Sequence, residues 1–304
     1  MEKTYYSNGK LLITAEYLVL KGAIALALPT QYGQSLAVNA IEQPIIIWKS
    51  YDFDLKIWFQ ATIKFNEILE LEKTEDEIKN QLIVILHQAN LMTNFLQKNG
   101  FEITTKLTFP RNWGLGTSST LINNLAQWLQ IDAFDLLAKT FGGSGYDIAC
   151  AAFDFPITYQ LQENQRNIKK VYFNPVFKEN LYFIYLNKKQ NSRNEIANFY
   201  NKNQKLSIEI ENCNQITQQI IDCNDLDIFI KLLQEHENLL KNILETPTVQ
   251  ELYFNDFEGI VKSLGAWGGD FCIVVAHENP TNYFKNKGYE ILIPYQEMIL
   301  KLEN

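Results

Sequence analysis

The sequence predicts an α+β fold divided into two domains, at residues 1–165 and 166–304. Three observations lead to this prediction. Short apolar segments separated by turn residues fill the first sixty positions, which is typical of a β-meander. A strand pattern, a glycine loop and a helix pattern follow one another over residues 101–129. A new alternation of strands and helices begins at Leu181 and predicts an antiparallel sheet with helices on one face, as in ferredoxin-like domains.

Composition and charge narrow the class of protein. The chain has 304 residues, 46% of them hydrophobic, and a net charge of −8, which indicates a globular protein and argues against broad nucleic-acid or membrane-surface binding. The four cysteines are scattered without a CxxC pair, which indicates reduced thiols. No apolar signal region and no apolar run of about 20 residues occurs. We therefore expect a cytoplasmic protein without nucleic-acid or membrane partners.

The N-terminal segments predict a short strand over residues 4–7, followed by a turn at Asn8 and Gly9. Lys10 then lies at this turn, where a solvated lysine is the ordinary interpretation. Further along, the periodicity of apolar residues predicts a helix over residues 75–98.

The glycine loop, PRNWGLGTSST, precedes a helix with one apolar face. Gly114 and Gly116 allow positive φ angles and a close approach of the backbone to a ligand. Thr117, Ser118 and Ser119 stand at the helix start, where hydroxyls cap N–H groups or face an anion. Because a helix start carries unpaired N–H groups and partial positive charge, the loop suits a phosphate. It lacks the lysine of the GxxxxGK[ST] loop, so local chemistry does not name the ligand.

A second glycine-rich stretch, GGSGYDIA, follows a short helix predicted over residues 133–141 with Asp132 as N-cap. Asp147 falls in the first turn of the next helix. One interpretation makes Asp147 a carboxylate that complements the helix dipole. The other makes it a general base in a cleft formed by the flanking glycines.

The C-terminal half contains a third glycine-rich stretch, residues 264–276, which leads into a strand from Phe271. The preceding residues, 249–263, are predicted as a helix. His236 is predicted on a solvated helix face. None of the three histidines has a partner at metal-ligand spacing, so they predict no metal site.

Four motifs, taken in order, resemble the GHMP kinases, the family of galactokinase, homoserine kinase, mevalonate kinase and phosphomevalonate kinase. They are the opening motif at residues 7–22, the phosphate loop at 110–120, the SGxD element at 143–151 and the C-terminal glycine motif at 264–275. Within the family the strings AEYLVL, GGSGYDIACAA and GAWGGDFCI are most similar to phosphomevalonate kinase and then mevalonate kinase. The GYDIA string resembles a bacterial branch.

The resemblance implies a two-domain GHMP kinase fold that uses ATP and Mg²⁺ to phosphorylate a hydroxyl or phosphate of a small anionic metabolite, as a monomer or homodimer. It implies Asp147 as the catalytic base, Lys10 as its charge partner at the γ-phosphate and Ser118 as the hydroxyl nearest Mg²⁺. The implied ATP-binding residues are Pro110, Gly114, Leu115, Gly116, Thr117, Ser118 and Ser119. The implied substrate-binding residues are Glu16, Tyr17, Ser144, Gly145, Lys189, Ser192, Arg193, Gly265, Gly268 and Gly269.

Departures from the family pattern leave the acceptor open. Ala15 and Trp267 stand where glycines are usual, and Arg193 stands where threonine is usual. Leu136, beside Asp135, occupies the place of the metal-binding glutamate of mevalonate kinases. Two other functions stay open: a non-catalytic nucleotide- or metabolite-binding protein on the same fold, and an enzyme resembling diphosphomevalonate decarboxylase.

Overall fold

The computed structural model describes residues 2–163, 165–188, 199, 206–265, 267 and 269–301. Contacts between residues divide the chain into two units that alternate along the sequence. The first unit comprises residues up to Gly9, 32–111 and 115–152, and the second comprises 10–31, 112–114 and 153 onward. The domain boundary at residue 165 stays a prediction.

The first unit is built on a mixed sheet. Its strands are β1 (Lys3–Leu12), β2 (Ala25–Ile41), β3 (Ile45–Tyr51), β4 (Ile57–Lys64) and β5 (Gly100–Leu107), of which β1 and β2 extend into the second unit. The order is β4-β3-β5-β2, with β1 beside β2. The β3–β5 pair is parallel, whereas β3–β4 and β2–β5 are antiparallel.

Five helices complete this unit: α1 (Phe65–Leu69), α2 (Glu77–Thr93), α3 (Thr117–Leu129), α4 (Ala133–Thr140) and α5 (Tyr146–Ala152). Their apolar faces bury a core against the sheet, with Trp48 and Ile103 on strands and Ile83 and Leu125 on helices. Burial of this apolar surface is the main stabilising contribution. The predicted Asp132 cap of α4 is confirmed, because its carboxylate accepts from the Asp135 N–H at 3.0 Å.

The second unit contains a hairpin and a second sheet. The hairpin, β6 (Ile157–Gln162) and β7 (Gln165–Lys170), pairs through β6 with the first residues of β2. The second sheet is antiparallel, in the order β11-β8-β10-β9, from β8 (Leu181–Tyr185), β9 (Ile260–Ser263), β10 (Phe271–Val275) and β11 (Leu292–Pro294). Its helices are α6 (Ser207–Asp222), α7 (Leu226–Leu244), α8 (Val249–Tyr253), α9 (Thr281–Asn286) and α10 (Tyr295–Met298). The antiparallel sheet with helices confirms the predicted fold class.

The helix predicted over residues 75–98 forms as α2 but ends at Thr93, where Asn94 takes a φ angle of 55°. Three other local predictions are wrong, each because tertiary contacts override a local signal. The expected turn at Asn8 and Gly9 does not form, since β1 continues through both residues. The expected helix at 249–263 ends at Tyr253, and four buried residues, Ile260–Ser263, form β9 against β10. His236 is wholly buried rather than solvated.

Among the described residues, no helix combines the length and the apolar character needed to cross a membrane.

Candidate active site

The N-terminus of α3 presents an uncapped helix end. Gly116 is the N-cap residue, with φ 96°, and no side chain caps the helix. The Ser119 hydroxyl is used locally, because it donates to the Gly116 carbonyl at 2.8 Å. Ser118 is exposed and Thr117 is half-buried. The helix therefore offers its first N–H groups and the Ser118 hydroxyl to a ligand, which is an arrangement suited to phosphate.

A buried polar network fixes α3 to the sheet of the first unit. The Ser7 hydroxyl donates to Asn124 Oδ1 at 2.8 Å, and Asn123 Nδ2 donates to Ser7 Oγ at 2.8 Å. Asn124 Nδ2 donates to the Gln34 carbonyl at 2.9 Å, and Thr120 Oγ1 donates to the Gln34 side chain at 2.9 Å. These bonds fix Ser7, the residue of β1 directly before the expected turn, against α3.

Replacing Asn124 with alanine is expected to lower the free energy of unfolding by about 1–3 kcal/mol, because the buried Gln34 carbonyl loses its donor and the Ser7 hydroxyl loses its acceptor. Thermal denaturation should show this as a lower Tm. Asn238→Ala, an exposed asparagine within α7, is the control and should change stability by no more than about 0.5 kcal/mol. Equal Tm values for the two variants would contradict the network's role.

Asp147 lies in the first turn of α5 and is half-buried. The turn before it needs glycines, because Gly142, Gly143 and Gly145 all have positive φ, at 69°, 103° and 90°. The helix α5 packs against α3, and Asn123 Nδ2 donates to the Ala151 carbonyl at 3.1 Å. The first unit therefore holds Asp147 and the α3 N-terminus on two directly bonded helices.

The glycine loop is also held from within the second unit, to which residues 112–114 belong. Lys10 Nζ donates to the Gly114 carbonyl at 3.1 Å. Gly114 has φ 68°, and a Cβ added there would lie 2.1 Å from Asp270 Oδ2. Only glycine fits this position without a rearrangement.

Aromatic packing anchors the same three residues. Trp113 packs edge-on against Phe271, with ring centroids 5.3 Å apart, and also contacts Tyr185 at 6.1 Å. The Tyr185 hydroxyl donates to the Asn112 carbonyl at 3.0 Å. Strands β8 and β10 therefore fix the first half of the loop, and the wholly buried Leu115 anchors its continuation in the first unit.

A buried ionic cluster surrounds Glu16 in the second unit. Glu16 Oε1 lies 2.6 Å from Lys262 Nζ, and Glu16 Oε2 lies 3.6 Å from His236 Nε2. Glu237 Oε1 lies 3.9 Å from Lys262 Nζ. All four side chains have at most 2% exposure, so solvent screens the electrostatic interactions among them only weakly.

Burial shifts the pKa values of three side chains in the cluster, those of Glu16, Glu237 and His236. It raises the pKa of Glu16, against the opposing effect of Lys262, and it raises the pKa of Glu237 to about 8. It also lowers the pKa of His236 well below its ordinary value, with Lys262 adding to the effect. His236 Nε2 accepts from the Ala15 N–H at 2.9 Å, so the neutral ring carries its proton on Nδ1.

Glu237→Gln is expected to reduce the loss of stability at alkaline pH. With a pKa of about 8 when folded and 4.5 as its ordinary value, Glu237 binds a proton in the folded chain that the unfolded chain has released. Stability therefore falls as pH rises towards 8, and the glutamine removes this contribution. Tm values measured from pH 6.5 to 8.5 should decline less in the variant than in the wild type. The exposed Glu235→Gln, on the same helix, should keep the wild-type slope, and an unchanged slope in Glu237→Gln would contradict the prediction.

Lys262, His236 and Glu237 were not predicted as members of a cluster, although the sequence pattern places each of them at a core position. His236 and Glu237 fall on the buried stripe of α7, formed by residues 229, 232, 233, 236, 237 and 240. Lys262 interrupts an otherwise apolar strand. A charged residue at a core position indicates a buried partner.

The remaining predicted substrate residues divide into two groups. Lys189, Ser192, Arg193 and Gly268 lie outside the described residues. The structure describes the others. Five of them are buried, namely Ser144, Gly145, Gly269, Glu16 and Tyr17, and Gly265 is half-buried with a φ angle of 69°. Pro110, which was predicted for the ATP loop, is also half-buried.

The residues around the expected metal-binding carboxylate offer little to a cation. Leu136 is wholly buried, and Asp135 is exposed on the first turn of α4. Within the described ranges, no group of three or more His, Cys, Asp or Glu residues could hold a metal ion. Mg²⁺ usually keeps several waters and takes its other ligands from one or two protein groups and phosphates. The exposed Ser118 fits such a metal when nucleotide phosphates supply the remaining ligands.

The two units and the glycine-loop geometry together define the fold of the GHMP kinases. No protein-family model and no curated protein matches the chain. A solved mevalonate kinase matches with a TM-score of 0.72 at 16% identity, over 98% of this chain and 100% of its own. Streptococcus pneumoniae phosphomevalonate kinase, in complex with phosphomevalonate and AMPPNP, matches with 0.69 at 16% identity, over 94% and 95%. Lactococcus lactis galactokinase, complexed with galactose, matches with 0.66 at 14% identity, over 94% and 88%.

Proposed function

We propose that the protein is an ATP-dependent small-molecule kinase that transfers the γ-phosphate to a hydroxyl or phosphate group. The observation that carries the proposal is the N-terminus of α3, where Gly116 leaves the helix without a side-chain cap and Ser118 is exposed, in a chain with the GHMP kinase fold. Backbone N–H groups and the positive end of the helix dipole attract phosphate oxygens.

Ser118 is the residue assigned to Mg²⁺, through its hydroxyl. The cation, when bound with the nucleotide, neutralises charge on the transferring phosphate. Thr117 and Ser119 are neighbours on the same turn, of which Ser119 already donates to the Gly116 carbonyl. Ser118 is therefore better suited to the metal than Ser119.

Asp147 is assigned as the base that accepts the proton of an acceptor hydroxyl, or that orients an acceptor phosphate. Lys10 is assigned to the charge on the γ-phosphate. Two observations support these roles: Lys10 Nζ is already bonded to the glycine loop at Gly114, and the helix of Asp147 is bonded to α3 through Asn123.

Mevalonate or phosphomevalonate is the proposed acceptor. The support is the similarity of the opening motif and of GSGYDIACAA to the family members that use these compounds, together with the fold shared with their solved structures. Tyr17, Ser144, Gly145, Gly265 and Gly269 are the described residues assigned to the acceptor side. Galactose is the contrasting acceptor in a test.

The test is ADP release by the purified protein with MgATP and mevalonate, phosphomevalonate, galactose or no acceptor. We expect release that depends on mevalonate or phosphomevalonate and is absent without an acceptor. The buried Leu136 favours the second candidate, a nucleotide-binding protein without catalysis. That candidate predicts a higher Tm with MgATP and no acceptor-dependent release.

A further inference from the structure

Glu16 stands in a turn whose backbone is strained on both sides. Ala15 and Tyr17 have φ angles of 65° and 63°, in the left-handed region that costs residues other than glycine about 1–2 kcal/mol each. Each residue is held by a hydrogen bond to a later segment of the same unit. The Ala15 N–H donates to His236 Nε2 at 2.9 Å, and the Tyr17 hydroxyl accepts from the Trp267 N–H at 3.0 Å. The turn keeps this shape because its surroundings fix it.

Lys262 connects this turn to the third glycine stretch. Its Nζ lies 2.6 Å from Glu16 Oε1 and donates to the Ser263 carbonyl at 2.8 Å, directly before residues 264–270. Both charged side chains have 0% exposure. The Glu16 carboxylate is therefore turned towards Lys262 in the interior, away from any position where a dissolved metabolite reaches it.

The other groups that face this pair are neutral at pH 7. His236 and Glu237 approach it from α7. The pKa of His236 is well below its ordinary value, and the pKa of Glu237 is raised to about 8. Cys213 approaches from α6, with Sγ 3.8 Å from His236 Nε2, and Cys272 from β10. Burial raises the pKa of both thiols, that of Cys213 to about 12. Glu16 and Lys262 thus form the ionic pair, and the rest of the cluster surrounds it with uncharged groups.

We propose that Glu16 and Lys262 are positioning residues, which hold Tyr17 and the described residues of the glycine stretch, among them Gly265 and Trp267, in the arrangement that receives the acceptor. Glu16 then contributes to acceptor binding without touching the acceptor. This inference rests on the proposed kinase function, and it adds Lys262 to the residues that determine acceptor affinity. The reason is mechanical: one buried ammonium bonds to Glu16 and to the carbonyl of Ser263, the residue directly before the glycine stretch, so losing it removes the bond that ties the Tyr17 turn to the end of β9.

The test compares Glu16→Gln and Lys262→Met with the wild type in two measurements. The first is hydrogen exchange of the Trp267 amide, by NMR and without substrate, with the Ile273 amide of β10 as the internal reference. We expect exchange at Trp267 to rise about tenfold relative to Ile273, because its bond to Tyr17 opens locally.

The second measurement is steady-state kinetics with the acceptor found by ADP release. We expect the acceptor KM to rise about tenfold, with kcat and the KM for ATP within about twofold of wild type.

Glu237→Gln is the matched control, since it replaces a protonated carboxyl with an amide in the same cluster, and it should leave both measurements unchanged at pH 7.

If Lys262→Met does not fold, the double variant Glu16→Met/Lys262→Met replaces both members of the pair with apolar side chains. Proteins often tolerate the replacement of a whole buried ion pair by apolar residues. Its Trp267 exchange should also rise. Wild-type exchange at Trp267 in the folded variants would overturn the inference. The exchange measurement needs no turnover, so it tests the positioning role even if the protein is not a kinase. If the protein is an active kinase and the variants show wild-type exchange at Trp267, the positioning role is wrong and the kinase function stands.

Discussion

Asp147→Asn is expected to lower kcat for phosphoryl transfer by about 10²–10⁴-fold, the usual cost of removing a general base. Asparagine keeps the size and shape of the side chain but cannot accept a proton. Asp147 stands on α5, which Asn123 ties to α3, so the substitution leaves α3, the proposed nucleotide-binding helix, in place. Calorimetric titration with MgATP should therefore give a Kd within about twofold of wild type, because transition-state stabilisation alone is removed.

Asp132→Asn is the control for this prediction. Asp132 is also an aspartate at a helix start in the first unit, where it caps α4, and asparagine caps a helix equally well. Its kcat should equal that of the wild type. If Asp147→Asn retained wild-type kcat on an acceptor that the protein phosphorylates, the assignment of the base would be wrong.

Gly114→Ala is expected to weaken MgATP binding by about tenfold or more, which corresponds to at least about 1.4 kcal/mol. An alanine Cβ would lie 2.1 Å from Asp270 Oδ2 and 3.0 Å from Asp270 Cβ, so the loop or Asp270 has to move. The backbone at φ 68° adds a steric cost of about 1–2 kcal/mol. Because the Gly114 carbonyl accepts from Lys10, the displacement also moves that lysine's anchor.

Two variants separate the clash from the backbone strain. Gly288→Ala has φ 85° and nothing within 4 Å of an added Cβ, so it bears the backbone cost alone and should leave MgATP binding unchanged. Asp270→Gly removes the side chain that the new Cβ meets, and in that background Gly114→Ala should cost less affinity than in the wild type. Equal losses in both backgrounds would show that Asp270 does not constrain the loop.

The backbone conformation of the glycine loop was predictable from the sequence because its signal is local. Positive φ at Gly114 and Gly116 and a hydroxyl-rich helix start are written in consecutive residues, and the structure places them as expected. The first turn of α5 was predictable for the same reason. The motif order also led to the GHMP kinase fold, which the solved structures confirm.

The buried cluster could not be predicted in the same way, because its members are far apart in sequence. Glu16 and Lys262 are 246 positions apart, and only the fold brings their side chains together. Local signals were also misleading where tertiary contacts decide. Asn8 and Gly9 stay extended within β1, and residues 260–263 form a buried strand although the preceding pattern is helical.

In the proposed reaction, the terminal phosphate of ATP passes to a small acceptor with Asp147 as the base. The most direct measurement follows isotopically labelled γ-phosphate from ATP into mevalonate or phosphomevalonate, in wild-type protein and in Asp147→Asn. We predict one labelled product per ADP released by the wild type, and a loss of about 10²–10⁴-fold in the variant. Tight MgATP binding with no label in either acceptor, or equal labelling by both proteins, would contradict the account.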